Sequence, residues 1–181
     1  MDEPEPLVIP ATTGQEAVLR WISSSGPGRR VGAGIGRTVA ALNRRRLGAV
    51  LEDEPWTPLR RPVASATVAL VATGGVHLRR DPPFDPHGDG GFRAIPGTAE
   101  PGDLQITHQA YDRRDARADL NLVFPLQRLR ELEAEGVVGR VAGEHYGFGL
   151  APHPAPLLVS AREVAGRLIR AQVDLALLVP A

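Results

Sequence analysis

The sequence predicts an α/β fold: a three-layer arrangement around a partly parallel sheet, with an N-terminal helical extension. Three observations carry this. Ala66-Thr-Val-Ala-Leu-Val-Ala72 is an unbroken apolar run closed by Gly74-Gly75, the pattern of a strand buried on both faces of a parallel sheet. Strand-like and helix-like segments then alternate to the end of the sequence. Upstream of Pro62 the apolar residues recur instead at helical spacing. The expected organisation is a helical extension over 1–62 and an α/β domain over 63–181.

Within the extension, Thr13-Gly-Gln-Glu16 has capping-box spacing, in which hydroxyl and carboxylate reciprocally satisfy free N–H groups, and Val18, Leu19 and Ile22 follow on one face. Ser23-Ser-Ser-Gly-Pro-Gly28 ends that helix, and Ile35, Val39, Leu42 and Leu47 predict a second one before Glu54-Pro-Trp-Thr-Pro58. After the buried strand, a Gly/Pro-rich stretch from about Thr73 to Gly102 reads as one long loop. Leu104-Gln-Ile-Thr107 is a short strand. Pro125 opens a helix with Leu126, Leu129 and Leu132 in a stripe, stopped by Gly136, and Val137 to Val141 reads as a further strand. Ser160-Ala-Arg-Glu163 has capping-box spacing and predicts the start of a helix carrying Val164, Leu168 and Ile169. Val173 to Val179 is the last strand.

Composition excludes several functions. The 181 residues contain no cysteine, so the chain can supply no disulfide, thiolate metal site, cysteine nucleophile or redox thiol pair. All 21 basic residues are arginine, balanced by 21 acidic ones; a net charge of zero gives no general reason to bind nucleic acid or an anionic membrane. The acidic start, Met1-Asp-Glu-Pro-Glu-Pro6, is followed by no apolar signal core, and no run approaches the roughly 18 apolar residues of a membrane span. A cytoplasmic protein is expected.

Gly32-Ala-Gly-Ile-Gly36 lacks both GxGxxG spacing and a preceding strand, so it reads as a helix entry rather than a dinucleotide cradle. Arg44-Arg45-Arg46 reads as a solvated helix face. The informative region follows the buried strand, because ligands in open α/β sheets bind beyond the carboxyl ends of strands. There the sequence places His77, Asp81, Asp85 and Asp89 after Thr73-Gly-Gly75. Either these titratable groups form a site or the segment is a polar loop with Asp-Pro turns.

The next strand ends in His108, Tyr111, Asp112, Asp115 and Asp119, whose imidazole and carboxylates recur at i, i+4, i+7 and i+11. On a helix that is one face, able to hold a divalent cation or an acid–base pair; the alternative is a solvated acidic face balanced by Arg113, Arg114 and Arg117. A third cluster, Glu144-His145-Tyr146-Gly-Phe148-Gly149, follows the third apolar run.

These residues carry a family likeness. Pro55-Trp-Thr-Pro-Leu59, Val68-Ala-Leu-Val-Ala-Thr-Gly-Gly-Val-His77, Asp81-Pro-Pro-Phe-Asp85, Tyr111-Asp112, Asn121-Leu-Val-Phe-Pro-Leu126-Gln-Arg-Leu-Arg-Glu-Leu132 and His145-Tyr-Gly-Phe148 resemble the amino-terminal half of selenoprotein B of the glycine, sarcosine, betaine and D-proline reductases. The likeness spans about Pro55 to Pro180. It implies an oxidoreductase-family protein that binds a small amine or amino-acid-like substrate for reductive carbon–nitrogen cleavage. In the family a selenocysteine in a U-x-x-C-x-x-C segment takes part, and that segment lies downstream of anything matched here.

The resemblance therefore implies a selenium-free scaffold on the substrate side. His108 or His145 is expected as general acid or base, with Tyr111 orienting the ligand as a third catalytic residue. His77, Asp81 and Asp85 are expected on the substrate, and His108, Asp112 and Asp115 on a divalent metal if one is bound. Two alternatives stand beside this: an accessory subunit whose site is completed by a thiol-bearing partner, or a metal-dependent His/Asp enzyme without thiol chemistry. An apolar strand just before Ala181 leads to the further expectation of a homo-oligomer or a partner protein. Neither nucleic acid nor membrane is expected as a partner.

Overall fold

The computed structural model describes residues 57–85, 87–151 and 154–180. A unit boundary falls between Trp56 and Thr57. The helices expected upstream of Glu54, with the Gly32–Gly36 and Arg44–Arg46 motifs, lie outside the described residues.

The described unit is a mixed α/β domain built on one central strand. β1 (Thr67–Ala72) is the predicted buried run. One side of it pairs along its length with the parallel strand β7 (Leu175–Val179). Its other side is shared in succession by β5 (Arg140–Val141) and β6 (Glu144–Phe148), both parallel. β3 (Phe92–Pro96) closes the sheet antiparallel to β6. β2 (Val76–Leu78) and β4 (Leu104–Ile106) form a separate antiparallel ribbon. The helices are α1 (Arg114–Ala118), α2 (Leu126–Ala134) and α3 (Pro154–Arg170).

Alternation along the strands sends side chains into two apolar clusters. Val68, Leu70 and Ala72 of β1 join the ribbon residues Val76, Leu78, Leu104 and Ile106, together with Leu126 and Leu129 of α2 and Phe124. Val71, with Tyr146, Phe148 and Phe92, packs against Leu157, Val164 and Leu168 of α3. The central strand is thus buried on both faces, as its composition requires. No helix among the described residues is long and apolar enough to cross a membrane.

Two expectations are corrected. The stretch from Thr73 to Gly102 is not one loop, because it contains β2 and β3. β2 has only three residues, and β3 carries Arg93 and ends on Pro96. Proline is tolerated there because β3 is an edge strand whose last residue need not donate to a ladder. The helix assigned to start at Ser160 starts instead at Pro154, placing Ser160 in its interior. Pro154 and Pro156 fall within the first turn, where a missing N–H removes no helical bond, so prolines that resemble a breaker mark a helix start.

Candidate functional site at the carboxyl end of the central strand

Beyond Ala72 the chain runs Thr73-Gly74-Gly75 and turns directly into the ribbon. Gly75 has φ +71°, and a Cβ there would collide with the carbonyl of Thr107 and lie 2.9 Å from the Cβ of His108. Only glycine fits the turn. Gly75 N–H donates to the Phe148 carbonyl at 2.9 Å, and Thr107 N–H donates to the Gly75 carbonyl at 2.8 Å. The ends of β1, β6 and β4 are thereby tied together. Gly147 adds a second close approach, since a Cβ there would strike the Val76 carbonyl as β2 crosses β6.

His108 and Tyr111 sit on this junction. His108 is 4% exposed, and its ring centroid lies 4.9 Å from that of Tyr111. The Tyr111 hydroxyl donates to the Gly74 carbonyl at 2.8 Å, docking the phenol on the end of β1. Ala110 N–H donates to Nδ1 of His108 at 3.2 Å, which places the proton of the neutral ring on Nε2. Burial, aided by the Arg113 charge, lowers the His108 pKa below the ordinary 6.5, so the ring is neutral at pH 7. Burial likewise raises the Tyr111 phenol, opposed by Arg113 and Arg117. The pair offers one neutral N–H donor and one phenolic oxygen with its lone pairs available, suited to orienting a polar ligand.

His77 lies one residue inside β2 and is fully buried. Nδ1 is 2.8 Å from the Leu78 carbonyl and can only donate to it, so Nε2 accepts from the Thr107 hydroxyl at 2.9 Å. Phe84 packs edge-on at 5.5 Å. Both ring nitrogens are thus engaged within the protein. Thr107 bridges His77 to the backbone of His108, a role sequence reasoning did not assign. The period of two in β4 was the available signal, since Gln105 and Thr107 share a face.

His145 lies elsewhere, within β6 beside the middle of β1. Between β5 and β6 the offset to β1 grows by two residues, a bulge between Val141 and Tyr146. An even insertion keeps every side chain on its own face but interrupts the ladder. Leu70 N–H, at the gap, donates to Nδ1 of His145 at 2.9 Å. The imidazole thus substitutes for a strand carbonyl. Its Nε2 carries the proton and has no hydrogen-bond partner among the described residues. Burial, reinforced by Arg130 and opposed by Glu144, lowers its pKa to about 4.

Of the expected carboxylates only Asp81 acts on an imidazole, its charge partly opposing the lowering of His77 by burial. Asp85 is exposed and accepts the His87 N–H at 2.8 Å in an Asx turn. Asp81 is half-buried at the turn after β2, where its N–H donates to the Leu78 carbonyl. The following loop is held by Arg93, which stacks 4.4 Å from the Phe84 ring, donates to the Pro82 and Pro83 carbonyls and pairs with Asp89 at 3.1 Å. Asp112 forms a forked pair with Arg114, 2.6 Å at its shortest, whose hydrogen bonds hold its pKa at about 2.

The predicted face His108/Asp112/Asp115/Asp119 does not form. Only Asp115 lies within the five-residue α1; His108 and Asp112 precede it, and Asp119 caps its end while accepting from Asn121 N–H. Among the described residues no three His, Asp or Glu side chains are grouped as a metal would require.

Fold and site together define a mixed α/β domain that presents a neutral imidazole and a phenol at the carboxyl end of its central strand. A sequence profile described as "Glycine/sarcosine/betaine reductase selenoprotein B" matches residues 91–181, and the chain belongs to that family. Among curated relatives, the D-proline reductase subunit gamma of Acetoanaerobium sticklandii is 40% identical over 93 residues, covering 51% of this chain and 38% of the relative. The glycine reductase complex component B subunit gamma of Symbiobacterium thermophilum is 32% identical over 133 residues, covering 68% and 30%. The sarcosine reductase complex component B subunit beta of Peptoclostridium acidaminophilum is 32% identical over 98 residues, covering 51% and 22%. The chain thus spans well under half the length of these relatives. No solved structure matches it.

Proposed function

We propose that this chain is the substrate-side scaffold of a reductase-complex component, binding a small amine or amino-acid-like molecule at the His108–Tyr111 junction. The relatives' printed names concern D-proline, glycine and sarcosine, all small amino acids. The observation that carries the reading is the His108–Tyr111 pair itself, a buried imidazole against a half-buried phenol at the carboxyl end of the central strand, where α/β sheets present ligand groups. In this reading His108 Nε2–H donates to a ligand carboxylate and the Tyr111 oxygen accepts from its ammonium. These 181 residues hold no cysteine, so in this reading the electrons for carbon–nitrogen cleavage come from a thiol or selenol outside them, with a thiol-bearing partner protein as the proposed source.

His77 and His145 support the scaffold in this reading, because their rings bond within it. The relatives' names as complex subunits support a protein partner over a stand-alone metal enzyme.

Titrating the full chain separately with glycine, sarcosine, betaine and D-proline, while following imidazole nitrogen resonances, tests the reading. At least one compound should shift the His108 ring signals saturably, and His108→Ala should weaken its binding by about tenfold, the worth of one hydrogen bond to a charged group. Saturable binding that leaves His108 unmoved would overturn it.

A further inference from the structure

A second place on the domain gathers basic side chains around a groove. The outer edge of β4, the turn at Pro101–Asp103 and the end of α1 enclose an open groove of about 590 Å³, lined by Arg79, Gln105 and Arg117 over Leu104, Ile106 and Leu120. That volume is within the usual range for small-molecule sites.

Its charges are one-sided and available. Among the described residues no Asp or Glu lines the groove. Arg79 is braced by Nε–H donating to the Gly102 carbonyl at 2.7 Å, while its terminal nitrogens make no hydrogen bond or ion pair among the described residues. The Arg117 guanidinium, in the last turn of α1, likewise makes none. This contrasts with Arg93, Arg114, Arg128, Arg130 and Arg167, all paired with a carboxylate.

The ribbon adds a backbone donor. Gly75 pairs with Thr107 and Arg79 with Asp103 through hydrogen bonds, so by antiparallel alternation Leu104 and Ile106 turn their backbone groups away from β2. The Leu104 N–H is taken by the Pro101 carbonyl, which leaves the Ile106 N–H facing outward on the groove's edge. Two guanidiniums and a backbone N–H above an apolar floor match an oxyanion on an aliphatic body. No carboxylate among the described lining residues offers an ammonium a counter-charge.

We infer that this groove binds a small organic carboxylate with an uncharged aliphatic body. The inference is independent of the amine-binding reading, because it uses other residues and reports through other amides.

The test titrates the full isotope-labelled chain at constant ionic strength with sodium butyrate, with butylammonium and inorganic phosphate in parallel arms. Butyrate should shift the amides of Gly102, Gln105, Ile106 and Leu120 saturably, and butylammonium should not. Arg117→Ala, which removes no hydrogen bond of the fold, should weaken butyrate binding by about tenfold, as loss of a charge-assisted contact implies. Arg128→Ala, at an exposed ion pair on α2, should leave it unchanged. Butyrate binding indifferent to Arg117→Ala, or absent, would overturn the inference, as would equal binding of butylammonium. Phosphate binding as tightly as butyrate would overturn the assignment of an aliphatic ligand.

Discussion

His145 does two things at once that an imidazole can do only while neutral. Its Nδ1 accepts from the Leu70 N–H across the bulge, and its burial excludes the charged form. With a folded pKa of about 4 against an ordinary 6.5, the unfolded chain binds the extra proton between those values. Stability is therefore full above about pH 6.5 and declines as pH falls toward 4, by about 3 kcal/mol from this residue. His77 and His108 are lowered too, so their contributions have the same sign. Urea midpoints measured between pH 7.5 and 4 should show the decline. His145→Met leaves the Leu70 N–H without its partner, so it should lose about 1–3 kcal/mol at pH 7 and show a shallower acid slope. An unchanged slope would contradict the protonation argument.

At the scale of elements, the turn from β1 into the ribbon and the start of α3 are the informative places. Gly75→Ala puts a methyl against the Thr107 carbonyl at a backbone angle L-residues avoid. The expected loss is about 2–4 kcal/mol, with collapse of the His108–Tyr111 contact visible in their ring resonances. Ser160 tests the correction made to α3. A true N-cap serine costs about 1 kcal/mol when replaced by alanine, whereas Ser160→Ala inside the helix should stay within about 0.5 kcal/mol of wild type or stabilise it.

These two places also show what the sequence could disclose. β1, β4 and α2 were legible because their apolar spacing reflects burial directly, and β7 because its unbroken apolar run pairs along β1, although Leu177 and Leu178 are exposed. β2 and β3 were not, since they are short and their pairing is decided by partners distant in sequence. Of the site, His108 and Tyr111 were legible as residues. Their pairing was not, because it depends on where the Gly74 carbonyl lies. The bulge that frees the Leu70 N–H for His145 is set by pairing between segments 75 residues apart, so it has no local signature.

At the scale of the whole molecule, reductive cleavage needs two electrons and a nucleophilic chalcogen, and this sequence offers neither thiol nor selenol. The purified chain supplied with dithiothreitol should release no ammonia from glycine or methylamine from sarcosine, and should not open D-proline. On the proposed reading, turnover requires a thiol or selenol supplied from outside these residues. Product above the dithiothreitol background from the chain alone would refute this.

The central position of β1 also shapes how the chain acquires its structure. Leu70 waits for an acceptor 75 residues downstream, and Thr67 N–H for the carboxylate of Asp174, 107 residues downstream. The ribbon, joined by His77 and Thr107 only 30 residues apart, can close as soon as both strands have left the ribosome. The difference in closure entropy between those spans is about 1 kcal/mol in favour of the ribbon. During synthesis the most apolar strand is thus the last to find its final partner, and it remains exposed to chaperones or aggregation until β7 has emerged. Pulsed hydrogen exchange during refolding should protect the amides of β2 and β4 before those of Val68 to Ala72.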